Sequence, residues 1–226
     1  MKKLLILALM LFPLALRAQI PIDQDWARFS RYEAENAQVK EQPVAVLFGD
    51  SITNNWAKDD NAWLQEHHFL GRGIGGQTTL QMLARFRPDV IELNPDYAVI
   101  LAGINDIARN TGYITVEHTF GNLVSLVELA QANNIVPVMC TLLPAAEIGW
   151  RKELGDPRPF VDSLNALIRS YAAEHNILLV DYFSVMKDEN NALKAAYARD
   201  AVHPNLAGYK VMEQALMDVL APHGVN

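Results

Sequence analysis

The sequence has little of three features that define large classes of protein. Among its 226 residues there is one cysteine, Cys140, so no disulfide bond can form within the chain. It has no block of Lys or Arg, and its formal net charge of −7 makes it a poor candidate for binding nucleic acid or an anionic membrane surface. After residue 16 it has no apolar run long enough to span a bilayer, which takes roughly 20 residues. These absences exclude a disulfide-stapled scaffold, a basic nucleic-acid-binding domain and a multi-span membrane protein.

The first 18 residues have the pattern of a secretory signal peptide. Lys2 and Lys3 precede an apolar stretch that runs to Leu16, and Ala18 offers a cleavage site, although Leu16 stands where a small residue is preferred. The alternative is a membrane anchor, but the stretch from residue 4 to residue 16 is too short to span a bilayer. We therefore expect a signal peptide at 1–18 and one domain at 19–226 with a net charge of −10. We expect export, to the periplasm rather than the medium, and no membrane span in the mature protein.

Composition and periodicity predict an α/β fold. The chain is 50% hydrophobic and 20% charged, which fits one domain with a sizeable core. Apolar strand-like runs alternate with helical patterns, which predicts a parallel sheet covered by helices on both faces. The predicted strands are 44–48, 69–76, 97–102, 135–142 and 177–181. The predicted helices are 23–38, 78–92, 116–132, 160–175 and 206–220, with a short helix or loop at 63–68.

Polar residues follow the apolar strands at the edge of such a sheet where ligands bind. Acyl transfer needs a hydroxyl nucleophile, a base and a carboxylate that orients the base, which Ser51, His203 and Asp200 can supply. It also needs donors to the developing oxyanion, for which the backbone N–H groups of Ser51 and Gly76 and the side chain of Asn105 are candidates.

Each of these motifs has a structural explanation when it is taken alone. Ser51 could be a helix N-cap, and the glycines at 73–76 could form a turn. They do not form a Gly-x-Gly-x-x-Gly phosphate loop, because Thr78 stands where the last glycine would be. Asp200 and His203 could lie in a surface loop or form half of a metal site, although the other histidines have no familiar metal-ligand spacing. The combination of the motifs favours catalysis.

The four motifs together resemble the GDSL, or SGNH, hydrolases, which are named for a Ser, a Gly, an Asn and a His in four blocks. Gly49-Asp-Ser-Ile52 is similar to the first block, although isoleucine replaces the leucine of the name. Residues 73–79, 103–106 and 200–205 are similar to the other three, with Gln77 where many relatives carry Asp or Ser.

The resemblance implies a flavodoxin-like three-layer α/β/α sandwich with a five-stranded parallel sheet. It also implies a Ser51–His203–Asp200 triad, an oxyanion hole of Ser51, Gly76 and Asn105, a shallow open site, and neither metal nor cofactor. The glycine-rich block is closest to the platelet-activating-factor-acetylhydrolase-like branch, whose members favour short acyl groups.

We therefore expect a serine esterase that acts on acetyl esters of carbohydrates, that is, on a small-molecule or oligosaccharide ester. The candidates for lining its substrate pocket are Asp50, Trp56, Tyr113, Trp150 and Arg151, each of which fits loop packing equally well. One alternative is a lysophospholipase- or thioesterase-type enzyme of the same fold. Another is a non-catalytic glycan-binding module, and a third, a nucleotide-binding protein, lacks a convincing phosphate loop.

Overall fold

A computed structural model of the chain describes residues 25–225, which form one parallel sheet between two layers of helices. The predicted signal peptide at 1–18 lies outside the described residues. The strands are β1 (Ala45–Gly49), β2 (Phe69–Gly73), β3 (Tyr97–Leu101), β4 (Val136–Cys140) and β5 (Leu178–Val180). Their spatial order is β2-β1-β3-β4-β5, and every neighbouring pair is parallel. This is the flavodoxin-like order, which confirms the predicted fold class.

Nine α-helices cover the sheet within the described part of the chain. They are α1 (Ser30–Asn36), α2 (Ser51–Asp59), α3 (Asn61–Glu66), α4 (Thr79–Asp89), α5 (Ile104–Ile107), α6 (Val116–Ala132), α7 (Arg158–His175), α8 (Tyr182–Met186) and α9 (Leu206–Leu220). Between residues 25 and 225, no helix has both the length and the apolar character needed to cross a membrane.

Two hydrophobic cores lie on opposite faces of the sheet because strand side chains alternate. Val46 and Phe48 of β1 pack with α4, α6 and α7, whereas Ala45 and Leu47 pack with α2, α3 and α9. The lone cysteine, Cys140, is buried in β4, and this burial raises the pKa of its thiol far above the ordinary range. It therefore packs as a small apolar side chain.

The first helix is shorter than its sequence pattern predicted. The prediction began at residue 23, but the helix begins at Ser30. The Asp25 carboxylate accepts hydrogen bonds from the N–H groups of Phe29 and Ser30, and Arg28 has a left-handed backbone with φ of 56°. These contacts hold a turn ahead of the helix and delay its start.

The order of the strands fixes where a ligand should bind. After β1 the chain forms β2 on one side of β1 and then crosses to form β3 on the other side. The carboxyl ends of β1 and β3 therefore border the switch point of the sheet. Ser51 lies two residues after the end of β1, and Asn105 lies in α5, just after β3.

Candidate active site

Ser51 is the first residue of α2, and the residue before it caps this helix. The Asp50 carboxylate accepts a hydrogen bond of 3.0 Å from the backbone N–H of Ile52. Asp50 thus has the N-cap role that Ser51 could have had. The hydroxyl of Ser51 is left free for another partner.

That partner is His203. The distance from Ser51 Oγ to His203 Nε2 is 2.8 Å, although 152 residues separate the two in sequence. On the other side of the ring, His203 Nδ1 lies 3.0 Å from Asp200 Oδ1 and 2.9 Å from Asp200 Oδ2. A hydroxyl, an imidazole and a carboxylate therefore form one continuous hydrogen-bonded chain.

The loop that carries this acid and base is held by its own backbone. Asp200 Oδ1 accepts the N–H groups of Val202 and His203 at 2.8 Å each, and the Arg199 N–H donates to the His203 carbonyl at 2.8 Å. Asn205 caps α9 through Gly208 and also donates to two carbonyls of the preceding loop. These bonds fix the imidazole relative to the start of α9.

The carboxylate sets the tautomer of the imidazole. Partial burial raises the pKa of Asp200, but the hydrogen bonds from His203 and Val202 outweigh burial and leave this pKa below its usual 3.8. An ionised carboxylate only accepts, so His203 Nδ1 must donate to it. Nε2 of the neutral ring is then the acceptor for the Ser51 hydroxyl, as a general base requires.

Two backbone N–H groups lie near the Ser51 side chain. Gly76 follows β2 with φ of +80°, a left-handed conformation that favours glycine. A Cβ on neighbouring Gly75 would lie 3.8 Å from the Ser51 Cβ, so this turn packs beside the serine. The N–H groups of Ser51 and Gly76 have no acceptor among residues 25–225. Free N–H groups beside a nucleophile are suited to an oxyanion.

Asn105 is more constrained than the sequence suggested. Its side chain is 1% exposed, and Nδ2 donates to Asp50 Oδ2 at 3.1 Å and to the Gln77 carbonyl at 3.0 Å. Both amide hydrogens therefore have acceptors already. Donation from Asn105 to an oxyanion requires one of these hydrogen bonds to be shared or released.

Gln77 connects the glycine turn to the core. Its amide donates to the Ala27 carbonyl at 2.7 Å and accepts from Arg85 Nε at 2.5 Å. The backbone carbonyl of the same residue accepts from Asn105. This departure from the family pattern therefore adds a buried anchor beside Gly76 and leaves the Gly76 N–H untouched.

Two of the predicted pocket residues are buried away from solvent, which corrects their expected role. Trp56 is 2% exposed, stacks on Trp63 and Tyr209, and donates from Nε1 to Glu213 at 3.3 Å. It belongs to the core beneath α9. Asp50 is 1% exposed, and this burial raises its pKa to about 6. Asp50 supports the site from the protein interior, through its hydrogen bonds with Ile52 and Asn105, and does not line the pocket.

The other three predicted pocket residues lie on exposed loops. Trp150 is 43% exposed, and its ring centroid lies 5.9 Å from that of His203. Tyr113 is 73% exposed and lies under the guanidinium of Arg109, while Arg151 donates to the Arg109 carbonyl at 3.4 Å. Of the three, Trp150 is the one in contact range of the proposed base.

A sizeable groove and the candidate catalytic residues lie in different places on the protein. A groove of about 870 Å³ lies between α1, α2 and the edge strand β2, and neither Ser51 nor His203 lines it. The mutual distances of Ser51, His203 and Asp200 favour the carboxyl edge of the sheet, because a groove alone supplies no reactive group. Between residues 25 and 225, no three His, Cys, Asp or Glu side chains are grouped so that they could hold a metal ion.

Sequence reasoning assigned no role to three residues that support this site. Arg85 and Asp106 are fully buried beneath the glycine turn, and Asn110 joins it to neighbouring loops. Arg85 lies off the apolar stripe predicted for helix 78–92, so the sequence carried no signal for its burial. Asn110 gave no signal, because its partners come from loops distant in sequence.

The comparisons with known proteins agree with the predicted family and fold. The sequence model described as the GDSL-like lipase/acylhydrolase family matches residues 47–211. An acetylxylan esterase of Geobacillus stearothermophilus is 29% identical over 156 residues, which cover 66% of this chain and 69% of that protein. An uncharacterised lipoprotein of Bacillus subtilis is 29% identical over 167 residues, which cover 60% of this chain and 69% of that protein. The crystal structure of a GDSL-like lipase from Bacteroides thetaiotaomicron is similar with a TM-score of 0.83 and 42% identity, covering 87% of this chain and 98% of that one.

Proposed function

Because this chain belongs to the GDSL-like lipase/acylhydrolase family and is a carboxylic ester hydrolase, we propose that it is a serine esterase that removes acetyl groups from carbohydrates. The observation that carries the proposal is the hydrogen-bonded chain from Ser51 through His203 to Asp200. Esters of sugars are uncharged, and a net charge of −7 does not oppose their binding.

The proposed reaction has two steps. His203 Nε2 takes the proton of the Ser51 hydroxyl as Oγ attacks the ester carbonyl, and Asp200 stabilises the imidazolium that results. The alcohol leaves with the proton from His203. Water then attacks the acyl-enzyme while His203 takes a proton from that water. The carboxylic acid is released and Ser51 regains its proton from His203.

The oxyanion of each tetrahedral intermediate would be held by the N–H groups of Ser51 and Gly76, joined by Asn105. The two backbone donors are unpaired within the described residues, so no existing bond is lost when they bind the oxyanion. Asn105 contributes by sharing the hydrogen that it gives to Asp50 or to Gln77.

Two observations support an acetylated carbohydrate as the substrate. The acetylxylan esterase relative acts, by its name, on acetyl groups of a polysaccharide. Trp150 and Tyr113 place two exposed aromatic rings on the loops at this edge of the sheet, and one of these rings lies near His203. Exposed aromatic rings offer the flat apolar surface on which the faces of sugar rings can pack.

A lipolytic acylhydrolase is the second candidate. It is favoured by the GDSL-like lipase from Bacteroides thetaiotaomicron, whose identity of 42% exceeds the 29% of the esterase relative. The proposed triad would serve either substrate. The preferred length of the acyl chain separates the two candidates. A non-catalytic glycan-binding module is the remaining alternative, and absence of ester turnover would favour it.

We also propose that the protein is exported and that residues 19–226 form its single mature domain. The sequence pattern of residues 1–18 supports this, as does the lipoprotein relative, since lipoproteins are exported. Mass spectrometry of the protein recovered from a periplasmic extract should find an N-terminus near residue 19. Recovery of the intact N-terminus from the cytoplasm would reject the proposal.

The test of function is hydrolysis of p-nitrophenyl esters from acetate to palmitate, together with release of acetate from acetylated xylo-oligosaccharides. We expect the highest rate on acetate and acetate release from the oligosaccharide. Ser51→Ala should lose several orders of magnitude in kcat, because the nucleophile is removed. Ser125→Ala is the matched control, since this serine lies on helix α6 and its hydroxyl has one hydrogen bond within the described residues, to the Gly121 carbonyl.

Each other outcome has a separate meaning. A rate that is highest on long chains would favour the lipolytic candidate and retain the triad. Hydrolysis by Ser51→Ala at the rate of the unmodified protein would reject the proposed mechanism.

A further inference from the structure

Asn110 lies in the turn after α5, five residues beyond Asn105, and every polar group of its side chain has a partner. Nδ2 donates to Asn105 Oδ1 at 2.9 Å and to the Gly76 carbonyl at 3.1 Å. Oδ1 accepts from Trp150 Nε1 at 3.1 Å. An asparagine can make only a few such bonds, and here a single half-buried side chain joins three separate segments of the chain.

The first contact bears on the direction of the Asn105 amide. With Oδ1 held by Asn110, the Nδ2 group of Asn105 faces Asp50 and Gln77. The opposite orientation would place the Asn105 NH₂ against the NH₂ of Asn110. It would also place the Asn105 oxygen against two other acceptors, so Asn110 opposes a flipped amide.

The second contact bears on the backbone of Gly76. This residue has φ of +80°, and a Cβ at its position would meet no atom nearer than Asn110 Nδ2, at 3.9 Å. The hydrogen bond to its carbonyl is therefore a direct restraint from the facing loop on an otherwise permissive glycine. The Gly76 carbonyl lies in the next peptide plane from the Gly76 N–H, so this bond restrains the N–H indirectly, through the φ and ψ angles of the glycine.

The third contact reaches the loop beside the proposed base. Trp150 lies 5.9 Å, ring to ring, from His203, and its indole N–H is held by Asn110. The same side chain thus contacts two of the three proposed oxyanion donors, Gly76 and Asn105, and also the exposed ring of Trp150.

We propose that Asn110 is a positioning residue for the esterase reaction, holding Gly76 and Asn105 in the geometry that stabilises the oxyanion and fixing Trp150 beside His203. This rests on the proposed function at Ser51. Asn110 need not touch the substrate, because it acts through the residues that do. Oxyanion donors must be held within a fraction of an ångström of the productive geometry, so they lose much of their effect when that support is removed.

The first test is the kinetics of Asn110→Ala on p-nitrophenyl acetate. We expect kcat to fall by about 10- to 100-fold, somewhat less than the roughly 10²- to 10³-fold expected for loss of a donor itself. KM should change less than about threefold, since the contact acts in the transition state. Asn133→Ala is the matched control, because the side chain of this half-buried asparagine has one hydrogen bond within residues 25–225, to the Leu129 carbonyl on α6.

The second test separates positioning from general support of the fold. An alkyl boronic acid adds to a serine Oγ and gives a tetrahedral anion, so its affinity reports on the oxyanion donors. In Asn110→Ala we expect the boronate affinity to fall by the same factor as kcat/KM. When Asn105 is already alanine, adding Asn110→Ala should lower log kcat by less than half as much as it does in the unmodified protein.

Two further variants keep the test decisive. Asn110→Asp retains the acceptor for Trp150 but cannot donate to Gly76 or to Asn105, so its kcat should fall at least as far as that of Asn110→Ala. Trp150→Phe removes only the indole donor, so its kcat on p-nitrophenyl acetate should fall less than that of Asn110→Ala, which also loses the hydrogen bonds to Gly76 and Asn105.

Wild-type kcat in both Asn110 variants, with Ser51→Ala inactive, would overturn the inference and leave the proposed function standing. A fall in kcat without any fall in boronate affinity would also overturn it. Activity in Ser51→Ala would reject the proposed function itself, and the role of Asn110 with it.

Discussion

Arg85 is a fully buried cation that joins the ends of two strands below the candidate site. Its guanidinium donates to the Gly49 carbonyl at 2.9 Å, to the Arg72 carbonyl at 3.0 Å and to Gln77 Oε1 at 2.5 Å. It also pairs with Asp89 at 2.9 Å, and neither side chain is more than 1% exposed. The planar fork of an arginine can satisfy all these acceptors at once, which a lysine could not.

We therefore expect Arg85→Met to destabilise the protein by about 3–5 kcal/mol, because it leaves the Asp89 carboxylate buried without a cation. Urea denaturation followed by circular dichroism measures this change. Arg169→Met is the control, since its pair with Asp181 is about one-third exposed and should cost about 1 kcal/mol or less. Adding Asp89→Asn to Arg85→Met should recover part of the loss. Equal costs for the two single variants would contradict this account.

Whether the role of a residue could be predicted from the sequence depended on where that residue lies in the fold. Ser51, Asn105 and His203 could be placed together from the sequence because each follows or faces the end of a strand at one edge. Trp56 could not, because its placement depends on which face of the short helix α2 turns inward, and Ile52, Thr53 and Trp56 all do. Asn110 could not either, since its bonds depend on how three loops pack.

At the scale of elements, two glycines differ in the space that a side chain at their position would have. A Cβ on Gly73, at the end of β2, would lie 2.2 Å from the backbone nitrogen of Asn54 in α2. Gly121, inside α6, is exposed, and a Cβ there would meet no atom of residues 25–225 within 4 Å. The first glycine allows α2, and with it Ser51, to approach the sheet, whereas the second only weakens a helix.

Gly121→Ala should raise the free energy of unfolding by about 0.5–1 kcal/mol, because alanine loses less backbone entropy in a helix. Gly73→Ala should lower it, because the methyl group would collide with the backbone of α2. Urea denaturation of both variants measures the two shifts. A stability gain in Gly73→Ala would show that α2 can move aside without cost.

Whole elements were predicted best where they are long and amphipathic. The predicted bounds of α6 and α9 coincide with the observed ones, since four to five turns give a clear apolar stripe. The short helices α5 and α8 were not predicted, because four or five residues carry no periodicity. The helix predicted to reach residue 92 ends at Asp89, directly after Pro88, and a single 3₁₀ turn follows.

At the scale of the whole molecule, the topology of the sheet buries two carboxyl groups near the switch point. Burial raises the pKa of Asp50 to about 6, against the hydrogen bond from the Ile52 N–H. Burial likewise raises the pKa of Asp106 to about 6, although its carboxylate accepts from Thr79 N–H and Oγ. A raised pKa in the folded state favours the protonated form, so each group stabilises the fold most below its unfolded pKa of about 3.9. This stabilisation is lost as the pH rises through about 6.

Asp106→Asn should remove one of these pH dependences. At pH 4 the Asp106 carboxyl is largely protonated and the variant gains nothing from its neutral amide. By pH 7 the unmodified protein carries a buried carboxylate, whereas the variant carries a neutral amide. Relative to the unmodified protein, the free energy of unfolding of the variant should therefore rise by up to about 3 kcal/mol between pH 4 and pH 7. Urea denaturation at pH 4, 5, 6 and 7 measures this change.

The control for that experiment has the opposite sign and a different pH window. Burial raises the pKa of Asp181, but hydrogen bonds from Arg169 and Ser184 outweigh it and hold this pKa below its usual value. The stability that Asp181 provides is therefore present above pH 4 and is lost only as the pH falls further. Asp181→Asn should differ from the unmodified protein by a constant amount between pH 4 and pH 7. If Asp106→Asn gave the same flat difference, the carboxylate of Asp106 would not carry the cost that its burial implies.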